Sequence, residues 1–194
     1  MLKEKTFSVL LDTSFLIRLL SKNDPLHQNA EDYYRYFLEK EIPMYISTIT
    51  VAEYCVNGDI SELPLRSVRI IPFNIQHAPI AGGFANILYS ARKTNDISVD
   101  NRLIIPNDVK LFAQAECTPD VKYFVTSDTK SSKLIDKISE KNVVSFEHMD
   151  IHEPYTLNFG ILPMSLYIKS FPSFEEWLPK GVIPSCISQG TIVK

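Results

Sequence analysis

Four acids stand where a chain seldom puts negative charge without a reason. Asp12 ends the apolar run FSVLL, Glu53 follows MYIS, Asp108 sits in NDVKLFAQA, and Asp128 follows KYFV through Thr126 and Ser127. An ionised carboxylate is costly to bury unless it is paired. Each acid taken alone has a plain structural account. Asp12 and Asp128 can cap the helices that follow them, and Glu53 and Asp108 suit the positive start of a helix. Taken together they permit another chemistry. Carboxylates crowded at one edge of a sheet repel one another unless a cation neutralises them. A hard divalent ion with oxygen ligands, Mg²⁺ or Mn²⁺, fits such a set, and such sites bind phosphates and activate water against phosphodiesters.

The elements that must position these acids are legible as alternating patterns. Strands are expected at Phe7–Leu11, Met44–Ile46, Ser67–Phe73, Lys122–Val125 and Val143–Phe146. Helices are expected at Ser14–Leu20, His27–Lys40, Val51–Asn57, Ile75–Lys93, Asn107–Glu116 and Lys130–Lys141. Ser47, Thr48 and Thr50 are candidate caps for the third helix, which Gly58 would end. Gly82 and Gly83 weaken the fourth by about 1 kcal/mol each if they lie inside it. The polar stretch Thr94–Pro106 reads as a loop. Alternation of this kind predicts an α/β fold with a mainly parallel central sheet flanked by helices. In such a sheet the carboxyl ends of the strands and the starts of the following helices share one edge, where ligands bind.

Residues 1–146 are thus expected to form one α/β domain. Residues 147–194 are expected to be a C-terminal extension packed on it. That segment carries Pro154, Pro163, Pro172, Pro179 and Pro184, with apolar and aromatic residues that argue against disorder.

The motifs DTSFLI, TITVAEYC, NDVKLFAQA and YFVTSD resemble the PIN-domain nucleases, including the toxin ribonucleases of toxin–antitoxin pairs. The resemblance covers residues 6 to about 146, with the four acids in family order. It implies a Rossmann-like PIN fold and a metal-dependent endoribonuclease. Asp12, Glu53, Asp108 and Asp128 would be its catalytic and metal-holding quartet. Ser14, Thr126 and Ser127 match the hydroxyl residues that support such a site. It also implies an RNA substrate, an antitoxin partner and a homodimer as associations to look for. The chain departs from the family pattern in three places. Lys130 stands where many members carry a further acid, the segment Thr94–Pro106 is long, and the tail is extra.

Cations near the acids offer phosphate contacts: Arg18, Lys22, Lys110, Lys130 and Lys133. Solvated helix faces account for each of them equally well. His27, His77, His148 and His152 show no metal spacing.

The chain has 194 residues, a net charge of −3, 45% hydrophobic and 22% charged residues, so it is neither notably basic nor membrane-like. No run approaches the roughly 18 apolar residues of a membrane span, and the start MLKEKTFSVLLD is too short in apolar residues for a signal peptide. Three scattered cysteines, Cys55, Cys117 and Cys186, point to a reducing cytoplasm rather than a disulfide framework.

Other classes fit less well. A phospho-acceptor domain needs an Asp at the end of a middle strand, where Asn74 follows SVRIIPF. A haloacid-dehalogenase-type phosphatase needs a second Asp two residues after the first, where Ser14 stands. The serious alternative is a PIN-fold module for RNA binding or protein assembly with a weak or inactive site.

Overall fold

The computed structural model describes residues 7–93, 104–142 and 144–160. These residues form a five-stranded, all-parallel sheet covered by helices on both faces. The α/β expectation with a parallel sheet is met.

The chain enters through β1 (Ser8–Leu11), passes α1 (Thr13–Leu20) and α2 (His27–Glu39), and returns as β2 (Met44–Ser47). After α3 (Thr48–Tyr54) comes β3 (Val68–Ile71), then α4 (Ala78–Lys93) and α5 (Ile104–Cys117). β4 (Val121–Thr126), α6 (Thr129–Ser139), β5 (Glu147–Asp150) and the short α7 (Tyr155–Asn158) follow. The spatial order is β3-β2-β1-β4-β5. The chain therefore winds outward one way from β1 to β3, then crosses back to lay β4 on β1's other side. A crevice forms at such a reversal, outside the carboxyl ends of the two central strands.

β1 explains why this arrangement is stable. All four of its residues are buried, because parallel strands are covered on both faces. Val9 and Leu11 join a core with α1, α2 and β2 that includes Phe15, Leu16, Tyr33 and Phe37. Leu10 points the other way, into a core with α4, α5 and α6 that includes Phe84, Phe112, Phe124 and Leu134.

Several element boundaries differ from the expected ones, each for a physical reason. α3 starts at Thr48, three residues early, because the Ser47 hydroxyl accepts the Ile49 N–H and caps it there. Gly58 does not end that helix, and its actual role is steric. α5 starts at Ile104, inside the expected loop, with Pro106 in its first turn, where the missing N–H costs nothing. Residues 94–103 of that loop lie outside the described residues.

The last strand is not Val143–Phe146. Phe146 is a buried core residue before the strand, and the ladder forms one step later over the polar sequence EHMD. As an edge strand, β5 buries only Met149 fully, so it lacks the apolar run that marks a central strand. The sheet thus continues into the segment expected to be the extension, and residues 161–194 lie outside the described residues.

Candidate active site

Asp12 leaves β1 at the reversal of the sheet, in the N-cap position of α1, with 8% of its surface exposed. Its side chain makes no capping hydrogen bond. It instead accepts hydrogen bonds on one oxygen from two hydroxyls, Ser14 Oγ at 2.6 Å and Thr126 Oγ1 at 2.9 Å. Thr126 ends β4, so this carboxylate bridges the two strands that flank the crevice. The capping account of Asp12 therefore fails. Burial raises the Asp12 carboxyl above its ordinary value, Ser14, Thr126 and the Thr13 backbone pull it down, and Glu53 pushes it up.

The hydroxyls are themselves held. Ser127 N–H donates to Ser14 Oγ at 3.0 Å, and Asp128 N–H donates to Thr126 Oγ1 at 3.0 Å. Ser14 and Thr126 lie 3.1 Å apart. Ser14, Thr126 and Ser127 thus lie together around the Asp12 carboxylate. The buried Ser127 hydroxyl receives Arg18 Nε at 3.5 Å.

Glu53 and Asp108 lose their helix-start explanations. With α3 starting at Thr48, Glu53 falls in its last turn, where the helix dipole disfavours a carboxylate. With α5 starting at Ile104, Asp108 is its fifth residue, past the first turn. Both are instead tied to the neighbourhood of Asp12 and Asp128. Glu53 Oε2 accepts from the hydroxyl of Thr13, next to Asp12. Asp108 Oδ2 accepts from Ser131 Oγ at 3.1 Å, one turn beyond Asp128. Only Asp128 behaves as a plain cap, taking the Lys130 N–H at 2.8 Å.

The four acids influence one another electrostatically. Burial pushes the Asp108 carboxyl up to about 7, and Asp12, Asp128 and Glu53 all add to the rise against the pull of Ser131. Among the described residues, no Lys, Arg or His forms an ion pair with any of the four. Among the described residues, then, no side-chain cation pairs with these carboxylates.

They do not stand in ligating geometry as they are. Among the described residues no three of His, Cys, Asp and Glu form a group that could hold a metal ion. Each carboxylate instead accepts a hydrogen bond from the protein: Asp12 from Ser14 and Thr126, Glu53 from Thr13, Asp108 from Ser131 and Asp128 from the Lys130 N–H. The donor set itself is oxygen-only and anionic, which suits a hard divalent ion.

The expected cations are placed less uniformly. Arg18 pairs with Asp24, whose other oxygen accepts the Leu26 N–H at 2.8 Å, so its guanidinium is fixed beside Ser127. Lys22 has an interaction of its own. Lys110 reaches Asn107 Oδ1 at 3.4 Å, and Lys130 and Lys133 are exposed on α6. Sequence reasoning missed Thr13 and Ser131, the hydroxyls that hold Glu53 and Asp108. Their signal was proximity, since each lies within three residues of an acid already singled out.

No family model and no curated protein matches the chain. Among solved structures it is similar to VapBC2 from Rickettsia felis bound to a DNA fragment from their promoter. The identity is 16%, with 73% of this chain and 97% of that chain covered and a TM-score of 0.46. It is also similar to DNA-bound VapBC from Salmonella typhimurium, at 16% identity, 75% and 98% coverage and a TM-score of 0.43. A third is Mycobacterium tuberculosis VapC20, a sarcin-ricin loop cleaving toxin, at 15% identity, 72% and 99% coverage and a TM-score of 0.41. Likenesses this distant identify neither an activity nor a partner.

Proposed function

We propose that this chain is a Mg²⁺- or Mn²⁺-dependent endoribonuclease that hydrolyses RNA phosphodiester bonds, with Asp12, Glu53, Asp108 and Asp128 as its metal-holding acids. The observation that carries this reading is Asp12. It occupies a cap position yet turns its buried carboxylate to two hydroxyls at the sheet's reversal, within electrostatic reach of acids that pair with no side-chain cation among the described residues. The motif resemblance to PIN-domain nucleases supports the same assignment.

A divalent ion bound there would polarise the scissile phosphate and lower the pKa of a water for in-line attack. The chain's own residues do the positioning. Ser14 and Thr126 fix the orientation of Asp12. Thr13 and Ser131 hold Glu53 and Asp108 in reserve, and Arg18, locked by Asp24, is a fixed cation for substrate phosphate. Lys22, Lys110, Lys130 and Lys133 are further phosphate contacts in this reading. A cytoplasmic setting fits RNA as substrate and Cys55 and Cys117 as free thiols. An antitoxin partner and a homodimer belong to the toxin form of the same reading. Among the described residues no helix is long and apolar enough to cross a membrane.

The test is the purified chain on mixed RNA with Mn²⁺. Cleavage is expected, abolished by EDTA and reduced in Asp12→Asn by more than the ~10–100-fold that loss of a supporting residue costs. Cleavage that survives both controls overturns the acid-quartet mechanism. The lack, among the described residues, of three acids in ligating reach favours the second reading, a PIN-fold binding module. Absence of cleavage together with absence of Mn²⁺ binding by calorimetry selects it.

A further inference from the structure

A cavity of about 230 Å³ opens between α1 and the end of α3, and Glu53 forms part of its wall. Ile17 and Leu20 from α1 line it, with Tyr54, Asn57 and Gly58. The Tyr54 ring is held in place there. Its hydroxyl donates to the buried Glu62 at 2.7 Å, which also accepts the Asp59 N–H at 3.2 Å. A Cβ at Gly58 would sit 2.4 Å from the Tyr54 ring, so the bare glycine backbone lets the turn close against it. Ile17 is 46% exposed, and the exposed Asn57 amide makes no hydrogen bond within the described residues.

We infer that this cavity is a nucleobase pocket: it takes one unstacked base of a single-stranded RNA whose backbone lies at the acidic edge. The inference rests on the ribonuclease reading for its choice of RNA, and it adds the substrate form and the residues that hold it. Single-stranded RNA is recognised by splaying bases onto aromatic side chains and reading their edges by hydrogen bonds. Each part has a counterpart here. Tyr54 supplies a fixed aromatic wall, Ile17 and Leu20 an apolar one, and Asn57 an amide with donor and acceptor at the mouth.

The volume falls below the ~300–1,000 Å³ of pockets for drug-sized ligands, which suits one flat ring better than a peptide segment. A wall already fixed in the free protein avoids the ordering cost that weakens binding at mobile sites. Position completes the argument. Glu53 lines the cavity and is hydrogen-bonded to Thr13, the neighbour of Asp12, so the pocket and the acids share a residue.

The test is equilibrium binding by fluorescence anisotropy in EDTA, using the full chain and short labelled oligoribonucleotides of each of the four bases. Each oligomer is also made with one abasic ribose, moved position by position. The expected result is a single position at which loss of the base weakens binding about tenfold, the scale of one base–aromatic stack. Filling the cavity with Ile17→Trp should weaken the intact RNA by the same factor and erase that position's penalty. Asn57→Ala, at an exposed site that does not threaten folding, should reduce discrimination among the four bases.

A flat abasic scan overturns the pocket, as does an Ile17→Trp protein, folded by its melting temperature, that binds like wild type. Mn²⁺-dependent cleavage with a flat scan removes the pocket alone, leaving the cavity to a partner protein's side chain. A position-specific penalty without cleavage keeps the pocket and removes the nuclease reading. Absence of RNA binding both in EDTA and with Mn²⁺ added removes the pocket.

Discussion

The carboxyl edge of the sheet and the aromatic seam around α7 are built on opposite terms. At the edge, Asp12 is buried and Glu53, Asp108 and Asp128 are partly so. Asp12 is raised by burial and Asp108 is pushed up to about 7. At the seam, Phe159 stacks on Tyr36 at 4.6 Å and on Phe7 at 6.1 Å, and meets Tyr123 edge-on at 6.1 Å. Tyr33, whose hydroxyl is pushed up to about 12 mainly by burial, donates to the Glu153 carbonyl at 2.8 Å and accepts from the Asn158 amide. The seam's rings gain area and geometry together, since aromatic pairs are worth about 0.5–1.5 kcal/mol beyond burial. The edge instead loses stability to the burial of its acids. Sites that must hold a ligand often keep unfavourable groups that the rest of the fold offsets.

The difference is most exposed at Asp108. Its ordinary value is 3.8 and its folded value about 7. The folded state therefore holds this proton more tightly than the unfolded chain. Stability falls as pH rises through that window, and the full penalty applies above it. Asp108→Asn removes the penalty and leaves an oxygen for Ser131. It should stabilise the protein by about 4 kcal/mol at pH 8, with the gain shrinking below pH 7 and vanishing near pH 4. Urea unfolding at several pH values reads this directly. Saturating Mn²⁺ should stabilise wild type and narrow the gap at pH 8, because an ion that binds only the folded state adds to its stability. A gain that does not depend on pH would break the contrast between the two regions.

Phe159→Ala tests the other side. It should cost about 2 kcal/mol, less than the ~3–5 of a fully buried ring because Phe159 is only partly buried. This loss should be the same at pH 5 and pH 8, and Mn²⁺ should not alter it.

Ser14→Ala sharpens the contrast within the edge. It removes one of the two hydroxyl donors to Asp12 and the acceptor of the Ser127 N–H. Supporting residues of metal sites typically cost 10–100-fold in metal affinity or activity. That range is expected for Mn²⁺ affinity by calorimetry. An unchanged affinity would reduce Ser14 to a structural residue.

The two regions were unequally legible. Asp12 could be picked out because an apolar run stops on it, and Ser14, Thr126 and Ser127 because they match the hydroxyl positions of the motifs the sequence resembles. What local pattern hid was helix register. Ser47 starts α3 three residues before the apolar spacing suggests, and that shift moves Glu53 from a helix start to a helix end. Thr13 and Ser131 were hidden because their partners are 40 and 23 residues away in sequence. The seam was hidden almost wholly. It pairs rings from residues 7, 36, 123 and 159, and no local period joins them. β5 was misplaced because an edge strand with one fully buried residue carries no apolar run.

The smallest effect belongs to a place that takes part in neither region. Gly82 and Gly83 lie inside α4, both exposed, and a Cβ at either would meet nothing within 4 Å. Neither has the positive φ that would require glycine. The unfolded chain gains more freedom from a glycine than from an alanine, so each glycine weakens the helix with no packing benefit in return. Gly83→Ala should therefore raise stability by about 0.5–1 kcal/mol, by the same amount at every pH and with or without Mn²⁺. That uniformity makes it the reference for the others. Asp108→Asn must differ from it by depending on pH, and Phe159→Ala must differ from it only in sign and size. If Gly83→Ala lowers the unfolding midpoint, that exposed face of α4 is covered by something, and the helix is not the neutral support that separates the two regions.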